Sequence, residues 1–159
     1  MREPLAVPFD TRRDCEAQWH ALLARAAARL DMFDPDFSVF PLGSTETEAQ
    51  LRAFLRGGGS LRLALHDPVR IERDAPRFLR LLRDYSHLAE CRQTPRALRQ
   101  LTDSFCIADG AHVLRRFHSD WMRGEAVFDA PGAVDVPAHR FDAIWEESRA
   151  ALAPGVTGL

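Results

Sequence analysis

Residues 102–110 read Thr-Asp-Ser-Phe-Cys-Ile-Ala-Asp-Gly. Asp109-Gly110 is a strong two-residue hairpin signal, because such a turn needs positive φ and glycine adopts it without steric cost. The apolar runs beside it, 104–108 and 111–115, therefore read as two antiparallel strands. Immediately upstream, Thr94-Pro95 caps a short helix that turns Leu98 and Leu101 inward and Arg96 and Arg99 outward.

Further upstream the pattern alternates between helix and strand. From Asp14, a plausible N-cap, Cys15, Trp19, Leu22, Leu23, Ala26 and Leu30 recur at helical spacing. Residues 30–33 form a short strand stopped by Asp34-Pro35-Asp36, and a second apolar piece, 37–42, ends at Gly43. Thr45 with Glu48 makes a capping box for a helix that buries Thr47, Leu51, Phe54 and Leu55 and stops at Gly57-Gly58-Gly59. The glycines follow a helix and precede a strand, the reverse of a phosphate loop, so they read as a helix stop. Residues 61–65 are a strand near the sheet centre, ending in His66-Asp67-Pro68. Ligands of open α/β sheets gather beyond the carboxyl ends of strands, which makes His66 a candidate pocket residue. The helix opened by Asp74-Ala75-Pro76 faces Phe78, Leu81, Leu82 and Tyr85 inward, with Arg73, Arg77, Arg80 and Arg83 across much of the other side. Another strand covers 88–92.

Downstream of Arg116, glycine, proline and charges break up the apolar residues as far as Pro137, which reads as a long covering loop with one short strand. A final helix over 138–152 shows Phe141, Ile144, Trp145, Ser148 and Leu152 on one face, and Ala153-Pro154-Gly155 ends it. Residues 1–13 hold two prolines and no sustained period, so they read as an N-terminal arm, with a single domain over 14–159. The expected architecture is α/β, a mixed central sheet of about five to six strands flanked by helices on both faces.

Composition narrows the chemistry. The 159 residues are 46% hydrophobic and 28% charged, as expected of one globular domain with its own core. All 21 basic residues are arginine, so lysine Schiff bases, Walker-type phosphate lysines and lysine-assisted phosphodiester chemistry are excluded. A formal charge of −2 gives no reason for general nucleic-acid or membrane-surface binding, although Arg77, Arg80, Arg96 and Arg99 leave a local anion or nucleic-acid patch open. Cys15, Cys91 and Cys106 are odd in number and widely spaced, fitting a reducing cytoplasm rather than a disulfide framework or a zinc site. Nothing in the sequence approaches the about 20 apolar residues of a membrane span. No metal and no cofactor are expected. Cys106 inside its strand reads as a small buried hydrophobe, and His118-Ser119-Asp120 as loop rather than a hydrolytic triad.

The opening strand with its Asp34-Pro35 break, the strand over 61–67 and residues 102–110 running into a hairpin resemble one half of the phospholipase D-like fold. That family works through His-x-Lys-x4-Asp, commonly followed by glycine. Counted back from Asp109-Gly110, the histidine position holds Thr102 and the lysine position holds Ser104. The resemblance therefore implies the spacing without the nucleophile or the charge. A hydroxyl lacking an adjacent base is barely nucleophilic at neutral pH, and serine cannot offset phosphate charge. The chain also resembles an uncharacterised bacterial domain of this degenerate type.

No catalytic residue is carried over. The resemblance implies a noncatalytic domain, binding or regulatory, forming a homodimer or meeting a protein partner. Its vacated pocket near Thr102, Ser104, Asp109 and His66 would be open to an anion or small ligand. Two other readings are a divergent metal- or histidine-dependent phosphodiesterase or nuclease using His66, His112 or His118, and a nucleic-acid-binding module using the arginines between Arg73 and Arg99.

Overall fold

A computed structural model describes residues 3–152. In chain order the elements are β1 (Leu5–Phe9), α1 (Arg12–Arg25), β2 (Arg29–Asp34), α2 (Thr45–Arg56), β3 (Ser60–Leu65), α3 (Val69–Asp74), α4 (Pro76–Asp84), β4 (Ala89–Gln93), a 3-10 turn (Arg96–Leu98), β5 (Ser104–Ala108), β6 (His112–Arg116), β7 (Gly124–Phe128), α5 (Pro131–Glu147) and β8 (Arg149–Ala151). The strands form one mixed sheet in the order β1-β7-β6-β5-β2-β3-β4-β8. β2, β3 and β4 run parallel, and the remaining pairings are antiparallel.

Among the described residues the sheet has eight strands, not five to six. The extra ones are edge and short strands. Residues of the N-terminal arm supply β1, which pairs with β7 along one edge, and β8 has three residues. Such pieces carry too little alternation to announce themselves, since their pairing partner rather than their own pattern holds them. The second apolar piece, 37–42, is a buried loop and not a strand, with Phe37, Val39, Phe40 and Leu42 packed into the core.

Helix limits moved for local reasons. Thr11, not Asp14, caps α1, its hydroxyl accepting from the Asp14 amide at 3.1 Å. Ser44, not Thr45, caps α2 and accepts from the Thr47 amide. The short helix α3 falls between Pro68 and the helix start at Asp74-Ala75-Pro76, a stretch to which the sequence assigned no element. The final helix begins at Pro131 and carries Pro137 in its interior, where the ring removes the bond that the Ala133 carbonyl would otherwise receive. Ser148 ends it, so 149–152 is strand and turn rather than helix, and Ala153-Pro154-Gly155 lies outside the described residues.

Two apolar layers hold the sheet. Leu30, Met32, Leu63, Cys106 and Leu114 turn toward α1, α2, α3 and α4, which contribute Trp19, Leu51, Phe54, Ile71 and Phe78. Phe33, Ala64, Phe105, Ile107 and Val113 turn the other way, onto Val134, Phe141, Ile144 and Trp145 of α5. Each fully buried large side chain contributes about 1.5–3 kcal/mol. Period-two alternation thus assigns every strand residue to one face, and that assignment positions the polar groups described next.

Candidate functional site

At the carboxyl end of β2 the alternation that buries Leu30 and Met32 also buries Asp34. Ser104 of β5 and Arg116 of β6 stand in the neighbouring positions on the same face, since Phe33 pairs with Phe105 and Ser104 pairs with Arg116. The Ser104 hydroxyl donates to Asp34 Oδ1. Arg116 Nη2 donates to the same oxygen at 3.2 Å, and the guanidinium is 2% exposed against 0% for the carboxylate. Asp34 Oδ2 accepts from the Asp36 and Phe37 amides at 3.0 and 2.6 Å, closing the loop in which Phe37 has φ 59°. Arg116 Nη1 reaches onward to the carbonyls of His118, Ser119 and Trp121. Two loops are therefore fastened to one buried ion pair. Among the described residues Arg116 Nε has no hydrogen-bond partner.

The expected site residues do not converge. Ser104 is buried in this cluster. Thr102 instead lines an open cleft of about 450 Å³ together with Asp103, Arg115, Phe117, Val136 and Arg140. His66 continues β3 on the α5 side, its ring edge-on to Phe33, so it lies on the opposite face of the sheet from Ser104. Leu101 carbonyl can only accept, so His66 Nε2 donates to it at 2.8 Å, leaving Nδ1 to the Thr94 hydroxyl at 2.5 Å. The ring is spent on fastening the loop before β5.

Asp109 sits at the far end of β5 from Ser104. It holds φ 58°, beside Gly110 at 65°, as the hairpin requires. Its carboxylate accepts from the amides of Ala27, Ala28 and Arg29 at 2.8–2.9 Å, anchoring the α1–β2 connection. Desolvation opposes ionisation there, yet the three amides hold the carboxyl below its ordinary range. A carboxylate with a depressed folded pKa stabilises above its unfolded value, about 3.9, and that stabilisation is lost as pH falls through the folded value. Asp109→Ala is expected to cost about 1 kcal/mol at pH 7, the charged hydrogen bonds being partly screened by solvent at this turn, and less in acid below the folded value, as read by urea unfolding at neutral and acid pH.

The arginines divide as well. Arg77 donates to the Gly43 carbonyl at 3.1 Å, and α4, which carries Arg77 and Arg80, packs on one face of the sheet. Arg96 and Arg99 belong to the turn whose Leu98 packs with the other. His112 lies at the hairpin end and His118 beyond β6, so His66, His112 and His118 occupy three separate places. In residues 118–120 the Asp120 amide donates to His118 Nδ1 and the Ser119 carbonyl is held by Arg116, which is loop geometry, not a proton relay. Burial pushes the Cys15 thiol up to about 12, with Arg116 partly opposing, and raises Cys106 well above the ordinary thiol range. Neither is a thiolate at neutral pH.

The model of a domain of unknown function, DUF7931, matches residues 11–153. The chain belongs to that family. No curated protein matches the DUF7931 chain by sequence. Among solved structures it is similar to Nuc from Salmonella typhimurium, a phospholipase D family member, at TM-score 0.70 and 13% identity, over 94% of this chain and 99% of that one. NucT from Helicobacter pylori gives TM-score 0.68 at 8% identity, covering 94% and 100%. The archaeal chromatin protein TrmBL2, whose structure shows a novel mode of DNA binding, gives 0.69 at 13%, covering 92% of the DUF7931 chain and 54% of its own length. At these identities the likeness shows the fold, a phospholipase D-like α/β domain. Among the described residues no helix is long and apolar enough to cross a membrane.

Asp34, Arg116, Asp103, Arg115 and Arg140 were missed by sequence reading. Two of them carried a signal. Asp34 is in step with Leu30 and Met32, and Arg116 with Leu114, so strict alternation places both among buried positions.

Proposed function

We propose that the chain is a noncatalytic phospholipase D-like domain that binds or regulates, resident in the cytoplasm and dimeric. The observation that carries this is Ser104. The position that corresponds to the motif's lysine holds a fully buried hydroxyl, committed to Asp34 and Arg116, with no outlet to a substrate. Thr102, at the histidine position, lines the cleft with no histidine among the lining residues. A divergent phosphodiesterase would need histidines and acids gathered at one strand end. His66, His112 and His118 are dispersed, and among the described residues no three or more His, Cys, Asp and Glu side chains are placed to hold a metal ion.

Purified protein is expected to show no turnover of bis(p-nitrophenyl) phosphate, a short-chain phosphatidylcholine or plasmid DNA, with or without divalent cations. Turnover that disappears on replacing Thr102 or any one of the three histidines overturns the reading. Light scattering tests the dimer separately, and a monomer at high concentration removes that part. A nucleic-acid module would lose affinity steeply with salt and weaken on joint replacement of Arg77 and Arg80, whereas no such dependence is expected here.

A further inference from the structure

The cleft that holds Thr102 does not end at Arg140. Leu101 and Arg140 are shared with a second opening of about 210 Å³, lined also by Leu98, Ala143, Ile144 and Glu147. The two adjoin along α5 as a groove between that helix and residues 98–103, crossed by the Arg140–Asp103 ion pair that ties its two walls together. From Val136 to Glu147 the helix advances about 16 Å, which an extended peptide covers with about five residues.

The two ends differ in chemistry. At one end Arg115 is exposed, makes no ion pair among the described residues, and stands 5.5 Å over the Phe117 ring. Arg140 is not available in the same way, because Asp103 holds it at 2.6 and 3.0 Å. The other end is walled by Leu98, Ala143 and Ile144. Of the five exposed large hydrophobic side chains among the described residues, Phe117 and Val136 line the groove and Trp121 lies on the loop that Phe117 opens. That concentration marks a contact surface, since tryptophan and arginine dominate the energetics of protein interfaces. The loop is held by Arg116 through the three carbonyls already described, so the aromatic side chains are presented on a fixed support.

We propose that this groove takes an extended segment of a partner protein carrying one acidic side chain and, roughly three to five residues away, an aliphatic or aromatic one. The inference rests on the noncatalytic reading and names its partner class. A carboxylate suits the planar fork of Arg115, and the apolar residue fills the Leu98 and Ile144 end. A polyphosphate suits the groove less well, because Asp103 and Glu147 line it and would repel successive charges.

The test is an array of capped dodecapeptides carrying one Glu and one or two Leu or Phe residues at varied spacing, followed by calorimetry on the full chain with the strongest sequence. A dissociation constant below about 500 µM is expected, about tenfold weaker for Arg115→Ala and for Ala143→Glu, and unchanged for Arg80→Ala. Both replaced groove positions are exposed, so folding is preserved. Replacing the peptide Glu by Gln should remove the dependence on Arg115. The proposal is overturned if no peptide reaches that affinity, if Arg115→Ala and Ala143→Glu leave affinity unchanged, or if a 12-nucleotide thymidine strand displaces the peptide. Peptide failure with no phosphodiester turnover removes this inference alone; turnover removes the noncatalytic reading beneath it.

Discussion

Arg116→Met is expected to lower the unfolding free energy by about 3–5 kcal/mol, the usual loss when one partner of a buried ion pair is removed. Asp34 would remain at 0% exposure with Ser104 and two amides but no counter-charge. The carbonyls of His118, Ser119 and Trp121 would lose their shared donor in the same step. For a stability of ordinary size, about 5–15 kcal/mol, this is a large share, and Tm should fall by roughly 10 °C or more. The double replacement Asp34→Leu with Arg116→Met separates the two contributions. It removes the stranded charge, so it should be more stable than Arg116→Met alone, while the carbonyls of His118, Ser119 and Trp121 still lack the guanidinium donor. With Asp34→Leu measured alone as well, losses in the two single variants that simply add up to the loss in the double variant would show that Asp34 and Arg116 are not energetically coupled.

The second large effect is steric. Gly124 opens β7 opposite Arg116 and beside Phe9 of β1. A Cβ there would lie 2.0 Å from the Arg115 carbonyl oxygen and 2.6 Å from the Phe9 ring. The oxygen belongs to the sheet backbone and the ring is buried, so neither yields cheaply. Gly124→Ala is expected to cost about 3 kcal/mol, at the upper end for overpacking, and to release β1 from the sheet edge. Hydrogen exchange at residues 5–9 should accelerate well beyond that at β5. Adding Phe9→Ala removes only the ring contact, so it should not restore stability. Full recovery in that double variant would mean that the backbone contact relaxes freely.

The hairpin at Asp109-Gly110 was legible because two residues determine it: both sit at positive φ, and that need is local. The strands over residues 30–33, 61–65 and 104–108 were legible as short apolar runs bounded by turn residues, whereas 37–42, a run of the same kind, packs as a buried loop. The α5 start was not. A proline at position 137 argues locally for a helix beginning, and only burial of Pro137 against the sheet overrides that preference. β1 and β8 were invisible for a related reason, since a short edge strand is held by its neighbour and not by its own composition.

For the candidate site the boundary falls elsewhere. Residue identity alone established that lysine chemistry of any kind is closed to this chain, and the resemblance to the phospholipase D-like motif implies that Thr102 and Ser104 stand at the positions of its nucleophile and lysine. Identity could not say that Asp109 serves the α1–β2 connection, that His66 lies across the sheet from Ser104, or that Asp34 meets Arg116 across 82 residues. Those facts depend on register. Shifting any one of these strands by a single residue would send its side chains to the other face, and register is settled by the packing of the whole sheet between its two helical layers.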